Sequence, residues 1–249
     1  MEQPVKHTPR LVCEFNLDKI TDHTPLIREL HLSLTDTPTN PPEFPFKAGQ
    51  FVMLHVPTGE PKAALRAYSV ATTDENKKGF RLIFKFVENG VASKYVWGLE
   101  SQQKIKFTGP FGKVFFQEPP TEQIVFLNTG SGISQHYCFL ESKMKQYPDL
   151  KYRMYFGVRY EADIYYKKEL DYLRSNLKNF DYDFVVSRPS ESWKGKRGYV
   201  QNFLNETKYK SVPTTFYLCG NGAMIKDVKH ELIDLNQIDP KRIWAEAFD

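Results

Sequence analysis

The sequence predicts a two-domain fold in which an antiparallel six-stranded β-barrel precedes an α/β domain with a five-stranded parallel sheet. Residues 11–108 carry short apolar strands separated by turn signals and one short helical stretch, which is typical of a barrel. Beyond Gly112, Pro119 and Pro120, strands alternate with helices, which is typical of βαβ units. We expect a barrel domain over residues 1–110, a linker over 111–122 and an α/β domain over 123–249.

The barrel strands are predicted from apolar alternation and from the loops between them. The fifth strand places Leu82, Phe84 and Phe86 on one face. The proline-rich stretch 36–49 must be a loop. The predicted strands are 11–17, 26–34, 50–56, 65–72, 80–87 and 104–108, and the helix is 92–99.

The α/β domain is predicted from short apolar strands that alternate with helices. Ligands of such parallel sheets bind at the carboxyl ends of the strands, so the loops there are the candidates for chemistry. The predicted strands are 124–127, 152–158, 182–187, 215–219 and 243–248, and the predicted helices are 136–146, 167–177, 200–205 and 223–235.

Composition narrows the classes of function. The net charge of +4 and the dispersed basic residues do not favour binding to nucleic acid, although they are compatible with docking of an acidic protein partner. No apolar run reaches about 18 residues, and residues 1–10 do not resemble a signal peptide, so we expect no membrane insertion. The three distant cysteines favour neither a disulfide framework nor a four-thiolate iron–sulfur site, and they suggest a reducing cytoplasm.

Two motifs in the barrel half suit a phosphorylated, planar ligand. Arg66 and Tyr68 share one face of a predicted strand, and Ser69 lies on the other. A guanidinium beside an aromatic ring can bind a phosphate and a flat ring system, although an exposed strand with a scattered charge is the alternative. Gly90 and Ser93 then form a glycine turn at a helix start, which suits an anion or is a simple N-cap.

Three loops at strand ends of the α/β half carry candidate binding residues. Thr129, Gly130 and Gly132 would let the backbone approach a phosphate beside a helix N-terminus, or form an ordinary tight turn. A basic cluster follows the third strand, and it suits an extra phosphate or is a solvated loop. Cys219 precedes a further glycine turn, and it is either a site residue or a buried small hydrophobe. The basic residues of this cluster are Arg188 and Arg197, and Ser187 and Tyr199 beside them are further candidates.

The order of these motifs resembles the ferredoxin–NADP reductase family. Arg-x-Tyr-Ser at 66–69, Gly-x-x-Ser at 90–93 and Gly-Pro-Phe-Gly at 109–112 precede the α/β motifs and Glu-Ala-Phe at 246–248. The resemblance runs from about residue 11 to the C-terminus. Gln135 stands where the family usually has proline, and Asp249 follows Phe248 where plant-type members end in an aromatic residue.

The resemblance implies FAD and NADP(H) as cofactors and no metal. Arg66 would bind a flavin phosphate, Tyr68 would pack on the isoalloxazine and Ser69 would lie near flavin N5. Cys219 and Glu246 would flank the nicotinamide, which makes Ser69, Cys219 and Glu246 the catalytic set. The remaining implied cofactor-binding residues are Lys85, Val91, Ala92, Ser93 and Phe248 for the flavin, Thr129, Gly130 and Gly132 for the dinucleotide, and Ser187, Arg188, Arg197 and Tyr199 for the 2′-phosphate.

The function implied is that of a monomeric, cytoplasmic flavoprotein. It would transfer a hydride between NADP(H) and FAD and single electrons between FAD and ferredoxin or flavodoxin. An NADH-dependent reductase component that feeds an oxygenase is the alternative, because Arg188-Pro189 with a later Trp193 and Gly198-Tyr199 also occurs there. A non-catalytic nucleotide-binding regulatory module is a third reading, and the presence of the catalytic set argues against it.

Overall fold

The computed structural model describes residues 10–248. Its first domain contains the six predicted strands, all paired antiparallel, and an isolated bridge from Val70 to Leu82 links the two ends of the sheet. The helix of this domain, α1 (Val91–Trp97), is also present. The strands are β1 (Leu11–Thr24), β2 (Ile27–Leu34), β3 (Phe51–Val56), β4 (Ala64–Ser69), β5 (Gly79–Lys85) and β6 (Lys104–Phe111), in the spatial order β4-β3-β6-β1-β2-β5.

Strand β1 continues well beyond its predicted end at residue 17. Its pairing with β2 shifts register between Leu17 and Lys19 and again between Asp22 and Thr24. A bulge breaks the two-residue alternation from which a strand is recognised in a sequence. The prediction therefore stopped at the first bulge, although the hairpin continues to Thr24.

Aromatic side chains fill the barrel. The ring of Phe15 lies 4.5 Å from that of Phe80 and 5.4 Å from that of Phe44, measured between centroids. Phe44 and Phe46 come from the predicted proline-rich loop and are fully buried. This loop therefore closes the barrel interior as well as connecting two strands.

The second domain is a parallel sheet of six strands in the order β10-β9-β8-β7-β11-β12. The five predicted strands are confirmed, and β10 adds a two-residue strand beside β9. A strand of that length carries no periodicity, so the sequence gives no signal for it. The strands are β7 (Gln123–Thr129), β8 (Lys151–Val158), β9 (Phe180–Val186), β10 (Lys196–Arg197), β11 (Thr214–Gly220) and β12 (Ile243–Ala247).

Helices connect the strands of this sheet. They are α2 (Ile133–Lys143), α3 (Lys167–Asn176) and α4 (Gly222–Lys229), with a 3-10 segment at Val200–Thr207 and a π-helical turn at His230–Leu235. Nine of the eleven residues of α2 are buried, the exceptions being Glu141 and Lys143. A helix without a solvent-facing side is one that packs on all sides, and α2 lies between the sheet and the barrel. No helix within residues 10–248 is long and apolar enough to cross a membrane.

Helix α2 is hydrogen-bonded to the barrel segment that follows β4. The Cys138 thiol donates to the carbonyl of Thr72 at 2.9 Å. The Asp74 amide donates to the Ser142 hydroxyl at 3.1 Å, and the Thr73 amide donates to a carboxylate oxygen of Glu141. These bonds fix the helix, and with it the α/β domain, against the barrel.

A buried carboxylate forms a second link between the domains. Glu29 of β2 is 2% exposed, and it accepts a 2.6 Å hydrogen bond from the hydroxyl of Tyr166 in the α/β domain. Burial alone would raise the pKa of Glu29, but hydrogen bonds from His23, His31 and Tyr166, with the charge of Arg81, hold it well below its usual range. The surrounding hydrogen-bond donors and the charge of Arg81 therefore keep the Glu29 carboxylate ionised at the domain interface.

We expect Tyr166→Phe to lower the free energy of unfolding by about 2 kcal/mol, because a hydrogen bond to a charged group contributes roughly 1.5–3 kcal/mol. The pKa of Glu29 is depressed, so its contribution is present above the ordinary carboxyl pKa of 4.5 and is lost as the pH falls below that value. The difference between variant and parent should therefore shrink in acid.

Urea unfolding at neutral and acidic pH measures this difference. Tyr172→Phe is the control, since Tyr172 lies on α3 and is 67% exposed. Equal stability of the two variants at neutral pH would contradict the assigned role of Tyr166.

Candidate functional site

A cleft of about 650 Å³ lies between the domains, at the carboxyl ends of the parallel strands. The barrel contributes Leu26, Ile27 and Lys85 to its wall, and the strand ends, loops and helix α4 of the α/β domain contribute the rest. Its volume is that of a small-molecule or cofactor site. The predicted site residues that line it are Lys85, Thr129, Gly130, Ser187, Arg188, Tyr199 and Phe248.

Hydrogen bonds tie three loops together at the floor of the cleft. The Thr129 hydroxyl oxygen accepts from both the backbone and the side-chain N–H groups of Asn221, each at 3.1 Å. Gly220 has φ +151°, and a Cβ atom there would lie 2.1 Å from the Thr129 hydroxyl, so only glycine permits this approach. The Phe248 amide donates to the Gly220 carbonyl at 2.9 Å, which places Phe248 beside the cleft.

The two glycines after β7 have different roles. Gly130 has φ +53°, lines the cleft, and has no described atom within 4 Å of the place where a Cβ would be. At Gly132 a Cβ would lie 2.1 Å from the carbonyl oxygen of Cys219. Gly130 is therefore accessible to a ligand, whereas Gly132 allows the start of α2 to pack against β11.

The two predicted arginines after β9 lie in different surroundings. Arg188 lines the cleft and donates to the Tyr160 hydroxyl at 3.2 Å. The guanidinium of Arg197 instead donates to the backbone carbonyls of Ser190, Glu191 and Trp193, at 3.0, 3.0 and 2.7 Å. Arg197 is exposed and holds its own loop in shape through these bonds, and it is not among the residues that line the cleft.

The sequence analysis missed a cation and two carboxylates of the cleft. Arg159 lines the cleft directly after β8, as Arg188 does two residues after β9, and its position at a strand end was the available signal. Asp163 and Asp227 also line it, and they accept hydrogen bonds from the Tyr160 amide and the Gln201 side chain. With Lys85, three cations oppose two carboxylates, so the cleft favours an anion.

The residues of the Arg-x-Tyr-Ser motif lie on β4, at one edge of the barrel sheet. Arg66 is exposed, and its guanidinium donates to the carbonyl of its own neighbour Leu65. The ring of Tyr68 packs on Phe84 at 4.2 Å, and burial raises its pKa to about 12. The Ser69 hydroxyl is buried and finds no hydrogen-bond partner among residues 10–248.

Helix α1 begins without a side-chain cap in the described structure. Gly90 stands at the N-cap, and the Ser93 hydroxyl accepts from the Val87 amide at 2.8 Å, so the turn is closed by Ser93. The first-turn N–H groups of Val91 and Ala92 are the kind that bind phosphate. Together with the partnerless Ser69 hydroxyl and the exposed Arg66, these residues fit a cofactor with a phosphate and a planar ring, such as FAD.

Cys219 and Glu246 lie on adjacent strands of the parallel sheet. They are register partners in β11 and β12. Cys219 is fully buried, and burial, with the adjacent Glu246 carboxylate, raises the pKa of its thiol well above the usual range. Burial also raises the pKa of Glu246 to about 7, against a hydrogen bond from Gln135 that lowers it. A carboxyl group with this pKa can hold or release a proton near neutral pH.

Comparison with known proteins agrees with this geometry. Residues 15–116 match the oxidoreductase FAD-binding domain family, and residues 126–230 match the oxidoreductase NAD-binding domain family. The first match covers the barrel with α1, and the second covers most of the α/β domain. Both predicted domains are thus found in the expected order.

Individual relatives cover the same two domains. The chain is 29% identical to ferredoxin–NADP reductase B of Sorangium cellulosum over 95% of its own length and 97% of that protein. It is also 29% identical to the anthranilate 1,2-dioxygenase electron transfer component of Acinetobacter baylyi, covering 88% of this chain but 62% of that one. A ferredoxin NADP+ reductase structure from Neisseria gonorrhoeae, with bound FAD and NADP, has TM-score 0.79 and 23% identity, covering 95% and 98% of the two chains.

Three observations lead to one conclusion. The barrel carries a flavin-type motif set, the parallel sheet has a cleft that favours an anion, and each half of the chain matches a family model. The chain joins an oxidoreductase FAD-binding domain to an oxidoreductase NAD-binding domain, and over its length it is similar to a ferredoxin–NADP reductase.

Proposed function

We propose that the chain transfers a hydride between NADP(H) and FAD and single electrons between FAD and a carrier protein such as ferredoxin or flavodoxin. The observation that carries this proposal is the cleft between the domains, which has Lys85 of the barrel on one wall and the βα loops on the other. When bound, FAD supplies the conversion between hydride and single-electron chemistry, and the protein supplies position and electrostatics.

The barrel residues are proposed to hold the flavin. Arg66 would bind a phosphate through its exposed guanidinium, and Tyr68 would pack against the ring system. The Ser69 hydroxyl would find there the hydrogen-bond partner that the described protein atoms do not give it. The first turn of α1 would bind the pyrophosphate through backbone N–H groups, which favours FAD over a mononucleotide.

The cleft is proposed to prefer NADPH because its free cations follow β8 and β9. The guanidinium of Arg188 meets one neutral hydroxyl, that of Tyr160, and Arg159 is on the neighbouring loop. No acidic residue directly follows β9, where a ribose 2′-hydroxyl would be bound in an NADH site. Arg159 and Arg188 would instead contact the 2′-phosphate, with Tyr199 lining the same cleft.

An NADH-dependent reductase component of an oxygenase is the second candidate. The Acinetobacter relative bears the name of a dioxygenase electron transfer component, and Arg197 is occupied by three backbone carbonyls. An NADH site needs fewer basic contacts at the ribose than an NADPH site does. The preference for NADH or NADPH therefore distinguishes the two candidate functions. We further propose a cytoplasmic monomer, with ferredoxin and flavodoxin as the carriers to be tested.

We expect the purified protein to carry non-covalent FAD. Arg66→Ala should weaken FAD binding by about tenfold to a hundredfold, because a charge-assisted hydrogen bond is worth roughly 1.5–3 kcal/mol. Release of the pigment, its chromatographic identification and a flavin titration of the apoprotein measure this. Lys62→Ala, which removes an exposed cation just before β4, should leave the affinity unchanged. A colourless protein, or one that carries FMN alone, contradicts the proposal.

We expect kcat/KM to be at least tenfold higher with NADPH than with NADH, since two guanidinium contacts to a 2′-phosphate exceed about 1.4 kcal/mol. Arg188→Ala and Arg159→Ala should each lower kcat/KM for NADPH and leave NADH nearly unchanged. Arg174→Ala, an exposed arginine of α3 that does not line the cleft, is the control. Equal efficiency with both cofactors in the unmodified protein would favour the oxygenase reductase instead.

A further inference from the structure

The buried side-chain amide of Gln135 makes two hydrogen bonds, one to the barrel and one to strand β12. Gln135 is the third residue of α2 and is fully buried. Its side-chain NH2 group donates to the carbonyl of Gly49 in the barrel at 3.0 Å and to the carboxylate of Glu246 on β12. One amide therefore connects a backbone group of one domain to a candidate catalytic side chain of the other.

The barrel end of this connection is held in place. Gly49 has φ +94°, and a Cβ there would lie 2.1 Å from the Val114 carbonyl oxygen and 2.7 Å from the ring of Phe139 on α2. The next residue, Gln50, accepts a hydrogen bond from the Val70 amide at 3.0 Å, directly after Ser69. The Gly49 carbonyl is thus part of the same packed edge that carries the Ser69 hydroxyl.

Apart from Gln135, few groups influence the ionisation of the Glu246 carboxyl group. The titratable neighbour whose charge is coupled to Glu246 within the described chain is the Cys219 thiol, and burial, together with Glu246 itself, raises its pKa so far that it stays neutral. Burial raises the pKa of Glu246, and the hydrogen bond from Gln135 is the interaction that opposes it. A donor to the ionised carboxylate favours the charged form, so loss of Gln135 should favour the protonated form.

We propose that Gln135 is a positioning residue that holds the Glu246 carboxyl group in a fixed place relative to the barrel edge, through one hydrogen bond to each domain. The importance of this arrangement for hydride transfer rests on the proposed function. The arrangement itself concerns only residues of this chain. Gln135 would act through Glu246, keeping its carboxyl group oriented and its proton exchange within the neutral pH range.

The test is to follow the Glu246 carboxyl group directly in the flavin-loaded protein. NMR of protein made with carboxyl-labelled glutamate gives its titration midpoint, and Glu246→Gln assigns the signal. Gln135→Met keeps the size of the side chain and removes the donor. We expect the midpoint to rise by about one to two pH units, since a hydrogen bond to a charged group amounts to roughly that shift.

The matched control is Ser142→Ala, which removes another hydrogen bond between α2 and the barrel without contacting Glu246. It should leave the Glu246 midpoint in place. An unchanged midpoint in Gln135→Met, or the same shift in both variants, would overturn the proposal. If Gln135→Met does not fold, the side-chain amide signals of Gln135 in the unmodified protein decide: they should move with the Glu246 titration and lose that response in Glu246→Gln, and a pH-independent amide would overturn the proposal.

The pH profile of kcat with NADPH links this geometry to the reaction. It should shift with the carboxyl midpoint in Gln135→Met, with KM nearly unchanged. A carboxyl shift without a shift in the kcat profile would overturn the role of Gln135 in catalysis. If NADPH does not reduce the flavin of the unmodified protein, the proposed function fails, and the carboxyl titration still decides whether Gln135 positions Glu246.

Discussion

The burial of helix α2 between the barrel and the parallel sheet is the constraint on which the rest of the structure depends. At its start, Gly132 lets the helix approach the Cys219 carbonyl, which no larger residue would permit. Farther along, Cys138 and Ser142 bond to the barrel segment after β4. Because one helix packs on both domains, their relative position is fixed, and the cleft between them has a defined shape.

Two carboxylates are removed from solvent near this helix, and each is paired, since an unpaired buried charge is costly. Glu29 is paired through Tyr166 and two histidines, and Glu246 through Gln135. The two carboxylates have opposite shifts. Many donors hold the pKa of Glu29 low, which suits a structural link, whereas burial raises the pKa of Glu246 to about 7, which suits proton exchange.

The sequence predicted the elements whose side chains alternate regularly and missed those set by tertiary contacts. All six barrel strands and the five longer strands of the parallel sheet follow from such patterns. The bulged part of β1 and the two-residue β10 do not. In the site, a basic loop was predictable, but not that Arg197 would bond to backbone carbonyls while Arg159, from another loop, would line the cleft. Gln135 was recognised as a departure from the family pattern, and its contacts with Gly49 and Glu246 needed the fold, because they join distant parts of the chain.

The central claim is that a flavin on the barrel and a nicotinamide dinucleotide in the cleft exchange a hydride. Anaerobic titration of the purified protein with NADPH tests it most directly, with the flavin absorbance as the signal. The account predicts that the oxidised flavin band is bleached in proportion to the NADPH added and that it returns when a one-electron carrier and air are admitted. A bound flavin that keeps its oxidised spectrum in excess NADPH and in excess NADH would contradict the account.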